Sequence, residues 1–336
     1  YRQINLPRAW ELTTGDPEVV VAVIDTGVLL DHPDLRGQLV AGYDFISDPG
    51  NANDGDGLDP NPDDSGDGGF AGPSSFHGTH VAGTVAAASD NGRGVAGVAW
   101  DAKIMPLRVL GVDGGSTYDI VQAVRFAAGI SNDSGTLPDR PADIINMSLG
   151  GPGRSFAMQN TIREVRSRGT IVVAAAGNES TSAPSFPAAY EGVISVGAVG
   201  PSNEITGYSN FGPMLDLVAP GGDLRQDSDG DGYADGVLST SADDSDGSVQ
   251  YVLQFKHGTS MAAPHVAGVI ALMKARNPAL TPADLDRLLR NGRLTIELGV
   301  PGRDDLYGWG IIDAHRAVLA AGTPDSPPSG GDPLLS

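Results

Sequence analysis

The sequence predicts an α/β fold in which a doubly wound, mainly parallel sheet is covered by helices on both faces. Short apolar runs rich in β-branched residues alternate with longer helical segments, and this alternation implies parallel strands joined by right-handed crossovers. In addition, 47 of the 336 residues are glycine, and the helical segments are rich in alanine, which suits close packing of helices on a sheet. A chain of this length can form one large domain with a substantial core.

The apolar runs that predict strands lie at residues 19–24, 103–109, 144–148, 171–175 and 193–199. Helical patterns lie near residues 118–128, 155–168 and 260–275, and a last pair at 281–290 and 313–321 is expected to close the domain. We therefore expect one domain over residues 1–322. Residues 323–336 are rich in Pro, Gly and Ser and predict a flexible tail. The sequence has no apolar stretch of roughly 20 residues, so it contains no predicted membrane span.

The segment from His257 to His265, His-Gly-Thr-Ser-Met-Ala-Ala-Pro-His, places Ser260 where a loop turns into a helix. The first backbone N–H groups of a helix have no intrahelical partners and favour negative charge nearby. A serine hydroxyl at this point is exposed and has a donor beside it for an oxyanion, which suits a nucleophile. Serine is also a favoured N-cap residue, and for this motif alone the structural interpretation is the better one.

Two further segments make the interpretation of Ser260 as a nucleophile better than that of an N-cap residue. Residues 19–27 form a β-branched run that predicts a buried strand, with Asp25 at the carboxyl edge of the sheet, where α/β proteins keep their sites. Further along the chain, His77 opens a helix of small residues. An acid that orients, a histidine base and a serine nucleophile, each at the end of an element, are the parts of a catalytic triad.

These three motifs, in this order, resemble those of the subtilisin-like serine proteases (subtilases), and the resemblance runs from about residue 6 to about residue 321. It implies the three-layer subtilisin-like fold. It also implies that Asp25 orients His77, and that His77 takes the proton of Ser260 and later returns it to the leaving amine.

A fourth segment, residues 170–178, reads as a buried strand that ends in Gly-Asn. Asparagine is common in turns. The resemblance instead gives Asn178 the role of pointing its side-chain amide at the developing oxyanion, together with the backbone N–H of Ser260. The other histidines of the motifs, His80 and His265, are expected to pack within helices.

The resemblance further implies that the substrate binds as an added β-strand between two glycine-containing segments, where backbone approaches backbone. The segments and the pocket beside the scissile bond are assigned to Gly114, Gly115, Ser116, Ser148, Leu149, Gly150, Ala175, Ala176 and Gly177, with Ser185 at the base of that pocket. Tyr118 and Leu149 are assigned to the rim of the next apolar pocket. Because the residues around the scissile bond are small and include no carboxylate, we expect a large uncharged side chain before that bond.

Composition excludes several classes of function. The chain has 42 acidic and 21 basic residues, a net charge of −21, so it is not expected to bind nucleic acids or anionic membranes by electrostatic attraction. It has no cysteine, which excludes a cysteine protease and a disulfide framework.

Much of the negative charge lies in two segments without helix or strand periodicity, residues 48–67 and 223–246. The simpler interpretation is that both are solvated acidic insertions. However, closely spaced carboxylates repel one another, and a Ca²⁺ ion, which takes roughly six to eight oxygen ligands in flexible geometry, would remove that cost. In the first segment the expected ligands are Asp56, Asp63 and Asp64.

The second acidic segment matches the start of an EF-hand loop. Its ligands would be the side chains of Asp227, Asp229 and Asp231 and the carbonyl oxygen of Tyr233. The twelfth position of the loop is Leu238 instead of glutamate, and Asp235 is the candidate for the missing carboxylate.

A third candidate calcium site follows the helix that begins at His77. Residues 90–95 resemble the calcium loop that many subtilases carry in that helix. The resemblance implies side-chain oxygen ligands from Asn91 and the distant Asp34, and carbonyl ligands from Arg93 and Val95. The family's N-terminal ligand has no clear counterpart in this sequence.

Taken together, these features predict a secreted, calcium-stabilised serine endopeptidase of broad specificity that acts on proteins and peptides as a monomer. Subtilases are usually secreted behind an N-terminal pro-segment that assists folding, and because the sequence shows no signal peptide we expect a mature form. One alternative is a processing protease that cuts after basic residues, supported by the single acid Glu179 next to Asn178. The other is a pseudoprotease that keeps the fold and binds partners without chemistry.

Overall fold

The computed structural model describes residues 1–68, 72–228 and 230–322, and a nine-stranded sheet runs through this part of the chain. The strands, numbered along the chain, are β1 (Val20–Asp25), β2 (Tyr43–Asp44), β3 (Lys103–Arg108), β4 (Ile144–Met147), β5 (Ile171–Ala175), β6 (Val193–Val199), β7 (Leu217–Pro220), β8 (Val237–Asp243), β9 (Gln250–Lys256), β10 (Thr295–Ile296) and β11 (Ile311–Ile312). The order across the sheet is β10-β11-β7-β6-β5-β4-β1-β3-β2, and β8 and β9 form a separate antiparallel pair.

The helices are α1 (Leu6–Trp10), α2 (Pro49–Ala52), α3 (His77–Ala86), α4 (Thr117–Ala127), α5 (Phe156–Ser167), α6 (Thr259–Arg276), α7 (Pro282–Arg290) and α8 (Ala314–Gly322), and a short 3₁₀ helix spans Arg2–Ile4. All neighbouring strands of the large sheet are parallel except β10 and β11. None of the helices within residues 1–68, 72–228 and 230–322 combines the length and the apolar character that a membrane span requires.

Both faces of the sheet are covered by helices, as the side chains of β1 illustrate. Val21 and Val23 pack into a core shared with α3, α6, α7 and α8, whereas Ala22 and Ile24 pack into a second core shared with α4 and α5. Successive side chains of a strand point to opposite faces, so a strand buried on both sides is apolar at every position. The predicted three-layer α/β fold is confirmed, and the five predicted strands and five predicted helices begin and end within one or two residues of their expected bounds.

The hairpin of β8 and β9 contradicts the sequence analysis, which treated residues 223–246 as irregular. Strand β8 has almost no apolar side chain to bury, but the hydroxyl groups of Ser239 and Thr240 donate hydrogen bonds to the backbone carbonyls of His80 and Thr79 in α3, at 2.8 and 2.7 Å. These hydroxyls are fully buried and fully bonded. A polar strand is therefore stable here, because a helix offers it acceptors.

The same contacts explain the buried His80. Its Nε2–H group lies 3.0 Å from the carbonyl oxygens of Val237 and Gln254, one in each strand of the hairpin. Burial lowers the pKa of His80 to about 3, so the ring is neutral. His80 thus joins α3 to the hairpin that leads into α6, and it serves packing, as does the buried His265 within α6.

The predicted tail, residues 323–336, and one of the proposed calcium ligands, Asp229, lie outside the described residues.

Candidate active site

The carboxyl edge of the sheet brings Asp25 and His77 together. Asp25 is the last residue of β1 and is fully buried, and its Oδ1 lies 2.7 Å from Nδ1 of His77, the first residue of α3. The same oxygen accepts the backbone N–H of Thr26 at 2.8 Å. Two acceptor contacts on one oxygen fix the carboxylate, and the carboxylate in turn fixes the imidazole ring.

Close approach of α3 to β1 depends on Gly78. A Cβ atom at this position would lie 2.1 Å from the carbonyl oxygen of Gly27. The backbone N–H of Gly78 donates to the hydroxyl of Thr26 at 2.9 Å, and that hydroxyl donates to Oδ2 of Asp64 at 2.7 Å. Asp64, expected to be a calcium ligand, thus anchors the residue that holds the start of α3, and burial raises the pKa of its carboxyl to about 7.

Three charges act on His77. Burial is the largest single influence on the pKa of the imidazole and lowers it, but the charge and the hydrogen bond of Asp25 both raise it, and the net result is a pKa above its ordinary value. Lys256 lowers the pKa and Asp67 raises it, both more weakly. The side chain of His77 is 23% exposed, so its ring remains accessible from the solvent side.

Ser260 is the second residue of α6, and Gly258 precedes the helix with φ of 146°. Pro264 lies inside the helix and has no N–H group, so the carbonyl of Ser260 lacks its usual helical donor. The hydroxyl of Ser148 supplies the missing bond at 2.8 Å. In return, Oγ of Ser260 donates to the carbonyl of Ser148 at 3.1 Å, so the turn that carries Ser260 is fixed to the end of β4.

Asn178 lies beside this turn. Its Oδ1 accepts hydrogen bonds from the backbone N–H and the hydroxyl of Thr259, at 2.9 and 3.0 Å, which orients the amide group. The point that a Cβ atom would occupy on Gly258 lies 3.5 Å from Nδ2 of Asn178 and 3.6 Å from the backbone N of Ser260. The side-chain amide of Asn178, whose Oδ1 is also 3.6 Å from this point, and the backbone N of Ser260 therefore border one small space, which glycine leaves open.

A cleft of about 630 Å³ runs past His77. Five of the predicted substrate residues line it: Gly114, Gly115, Ser148, Leu149 and Gly150. Ala176 and Ser185 line a smaller adjoining pocket. Gly177 donates its N–H to the hydroxyl of Thr259 at 3.1 Å. Glycine at position 150 allows the backbone to lie close to Ser185, because a Cβ atom there would lie only 2.8 Å from Oγ of Ser185.

Two predicted substrate residues have other contacts. Ser116 is the N-cap of α4, and its side chain accepts the N–H of Asp119. Tyr118 is 59% exposed and its hydroxyl bonds to Asp133, while Thr117 and Ile120 on the same helix line the cleft in its place. Helix periodicity could have distinguished Tyr118 from the two residues that line the cleft, because residues 117 and 120 lie on one face of α4 and residue 118 lies on another.

The first acidic segment gathers a different set of carboxylates from the one expected. Within the described residues, oxygens of Asp44, Asp54 and Asp59 lie within 4.8 Å of one another, close enough to hold a metal ion. Asp44 and Asp54 also bond to the buried guanidinium of Arg108. Arg108, a charged residue at the end of the otherwise largely apolar strand β3, is the sequence feature that could have indicated this cluster, and the sequence analysis did not use it. Asp63, by contrast, accepts the backbone N–H of Leu30 at 3.0 Å, and Asp56 is not part of the group.

The site predicted after α3 is brought together in part. Asp34 is 3% exposed, its Oδ2 accepts the N–H of Val95 at 2.8 Å, and its buried Oδ1 has no hydrogen-bond partner among the described residues. Oδ1 of Asn91 accepts the N–H of Arg93 at 3.0 Å. One buried carboxylate oxygen therefore faces this loop with its bonding capacity unused.

In the second acidic segment the side chains fold back on their own loop. Asp227 accepts the N–H groups of Gly230 and Gly232 at 2.9 and 3.2 Å. Asp231 accepts the N–H of Tyr233 at 2.8 Å, and Asp235 binds both the N–H and the hydroxyl of Ser228. These local hydrogen bonds give the described residues of the loop tight turns of the kind that a ligand loop has.

The carboxyl edge of the sheet thus carries an aspartate bonded to a histidine, and Ser260 lies at the start of α6. Aspartate, histidine and serine at the ends of such elements are the residue types that serine hydrolases use. The chain belongs to the subtilase family, whose model matches residues 16–310. The resemblance inferred from the motifs is thereby confirmed.

Relatives and solved structures agree with this assignment. The chain is 45% identical over 332 residues to the extracellular protease of Xanthomonas campestris pv. campestris, covering 95% of this chain and 54% of that protein. It is 31% identical to thermitase of Thermoactinomyces vulgaris, with 94% of each chain covered. A solved protease from Pseudoalteromonas arctica superposes with a TM-score of 0.87 at 44% identity and 96% coverage of both chains. The chain spans about half the length of the first of these curated relatives and of the extracellular basic protease of Dichelobacter nodosus.

Proposed function

We propose that this chain is a serine endopeptidase in which Asp25, His77 and Ser260 form the catalytic triad and Asn178 contributes to the oxyanion hole. The observation that carries the proposal is the 2.7 Å contact between Asp25 and His77 at the wall of the cleft. This contact leaves Nε2 of the ring as the atom that receives a proton.

The mechanism follows from these positions. Oγ of Ser260 turns from the Ser148 carbonyl toward His77, gives its proton to Nε2 and attacks the peptide carbonyl. Nδ2 of Asn178 and the N–H of Ser260 then donate to the oxygen that becomes negative, in the space beside Gly258. The imidazolium, stabilised by Asp25, protonates the leaving amine, and water enters to release the acyl group.

The substrate is a protein or peptide bound in an extended conformation. Gly114, Gly115, Leu149 and Gly150 all line the cleft. Backbone hydrogen bonds to these two segments would add the substrate as a strand. The residue before the scissile bond enters the pocket that borders Ser185, where the small side chains favour a large apolar group. Glu179, whose carboxylate accepts a hydrogen bond from Asn210 at 2.7 Å, is not among the described residues that line the cleft or the pocket at Ser185, so it does not favour a basic residue there.

Calcium ions would stabilise the fold without taking part in the chemistry. The orphaned Oδ1 of Asp34 supports a site with Asn91 and the carbonyls of residues 93 and 95, because a buried carboxylate oxygen needs a partner. The turns of the loop at residues 227–235 suit a second ion. The acidic group of Asp44, Asp54 and Asp59 is a third candidate, in which Arg108 already supplies part of the compensating charge.

Two relatives are named extracellular proteases, and we propose that this chain too acts outside the cell, as a monomer that folds with the help of an N-terminal pro-segment. Hydrolysis of casein and of peptides varied before the scissile bond tests the function. We expect Phe and Leu to be preferred over Lys, and a fluorophosphonate to stop all hydrolysis. Absence of hydrolysis by soluble, folded protein would contradict the proposal, and a tenfold preference for Arg over Phe would favour a processing protease.

A further inference from the structure

The cleft beside His77 carries a carboxylate that the mechanism does not use. Asp67 lines the cleft together with Ser75 and His77, and among the described residues no lysine or arginine lines it. Both oxygens of Asp67 are held by Ser75, one by the backbone N–H at 2.5 Å and one by the hydroxyl at 2.6 Å. These bonds fix a negative charge next to Ser75, which lies two residues before His77 in the sequence.

Asp67 retains capacity to bind a cation. An ionised carboxylate accepts about four hydrogen bonds, and Ser75 supplies two of them. The side chain is half-buried, so the charge is exposed to the cleft and only partly screened by water. The carboxylate is therefore available to a ligand that lies along the wall of His77.

The alternation of side chains along the substrate strand decides which substrate residue faces His77 and Asp67. Successive side chains of an extended strand point to opposite sides. If the residue before the scissile bond points into the pocket at Gly150 and Ser185, the residue preceding it points the other way, toward His77 and Asp67. This step rests on the proposed function, because it takes the extended substrate as given.

One cation of the protein itself lies near Asp67 and weakens the attraction of this carboxylate for other cations. Nζ of Lys256, the last residue of β9, donates to the carbonyl of Ser75 at 2.7 Å. Lys256 is thus bonded to Ser75, the residue that also binds Asp67, and its positive charge opposes the negative charge of the carboxylate. A substrate cation would experience the attraction of Asp67 reduced by the repulsion of Lys256.

We propose that Asp67 is a specificity-determining residue that selects an arginine or lysine side chain at the second residue before the scissile bond. The preference is separate from the apolar preference at the first residue, which enters a different pocket. The natural substrates would then carry a basic residue followed by a large apolar residue at the cleavage site.

Peptides that share Phe before the scissile bond and carry Arg, Leu or Glu at the preceding position test this proposal. We expect kcat/KM for Arg to exceed that for Leu by about fivefold, the equivalent of ~1 kcal/mol for a partly solvated ion pair. Asp67→Asn should bring this ratio near one, and Lys256→Gln should raise it. Because both peptides are compared in the same enzyme, any change in the pKa of His77 cancels from the ratio.

A matched control is Asp139→Asn. It removes one negative charge from the exposed surface near Val20, at the amino end of β1 and away from the cleft. It should leave the ratio of kcat/KM for the Arg and Leu peptides unchanged. For the wild type, raising the salt from about 0.01 M to about 1 M should reduce the ratio, since salt screens charges, and this arm requires no variant to fold. An unchanged ratio in Asp67→Asn, or an arginine preference that appears only after the scissile bond, would overturn the inference. If no peptide is cleaved at all, the proposed function itself fails.

Discussion

The carboxyl edge of the sheet and the loop at residues 227–235 are both rich in polar side chains, but they hold them in opposite ways. At the sheet edge, Asp25 is fully buried and bonds to the backbone N–H of Thr26, just after β1, and to His77 in α3, and Asn178 bonds to the start of α6. In the loop, Asp227 and Asp231 are exposed and bond to backbone N–H groups a few residues away.

The difference shows what each region depends on. Side chains at the sheet edge are positioned by the packed domain, so they are in place before a substrate arrives, as electrostatic catalysis requires. The loop is shaped by its own turns, in which Asp227 and Asp231 accept backbone N–H groups from residues 230, 232 and 233. We therefore expect substitutions at the sheet edge to change the reaction rate, and substitutions in the loop to change stability and its dependence on calcium.

Replacing Ser260, the proposed nucleophile, should separate the two regions most clearly. Ser260→Ala should lower kcat by about 10⁶-fold, the size of the effect for the nucleophile of subtilisin, a relative. The melting temperature and the bound calcium should remain those of the wild type. Ser228→Ala, the same exchange in the loop, should keep full activity. More than a few per cent of the wild-type rate in pure Ser260→Ala protein would remove Ser260 from the mechanism.

The oxyanion donor should have the next largest effect. Asn178→Asp keeps an oxygen that accepts from Thr259 but replaces the NH₂ group by a second oxygen, so the transition state loses a donor. We expect kcat to fall by about 10²–10³-fold with KM nearly constant. A fall that appears mainly in KM would mean that Asn178 binds the substrate and does not stabilise the transition state.

The loop should affect stability by a smaller free energy. The double variant Asp227→Asn/Asp229→Asn should lose one bound Ca²⁺ by elemental analysis, and with it about 2.7 kcal/mol of unfolding free energy at a hundredfold excess of calcium over Kd. Initial rates should stay unchanged. Asp243→Asn/Asp246→Asn, which removes the same charge from the next turn, is the control and should bind as much calcium as the wild type. If the two double variants behave alike, the loop is a solvated insertion.

The pH dependence is the smallest expected effect. Only neutral imidazole accepts the serine proton, so activity should rise with pH as His77 loses its proton. Because the pKa of His77 is raised, the midpoint of this rise in kcat/KM should lie above the ordinary histidine value of about 6.5. Lys256→Gln removes a charge that lowers this pKa and should move the midpoint to higher pH. A shift to lower pH would show that Lys256 does not act on His77 by its charge.

The sequence predicted the layers of the fold and the residues at the sheet edge because both depend on local patterns. Buried parallel strands are apolar over most of their length; Asp25 ends such a strand, and His77 and Ser260 lie at the starts of helices. The hairpin of β8 and β9 could not be predicted in this way, since the buried Ser239 and Thr240 depend on carbonyl acceptors of a helix about 160 residues away in the sequence. The acidic group of Asp44, Asp54 and Asp59 likewise depends on Arg108, whose position near them is set by the pairing of β2 with β3.

The central claim is that Ser260 is a nucleophile activated by His77, and a fluorophosphonate probe tests it most directly. After reaction and digestion, peptide mass mapping should locate one phosphonyl group per chain on Ser260, and His77→Ala should slow the labelling by several orders of magnitude while the protein stays folded. Labelling of a different residue, no labelling of the folded wild type, or equal labelling rates with and without His77 would contradict the account.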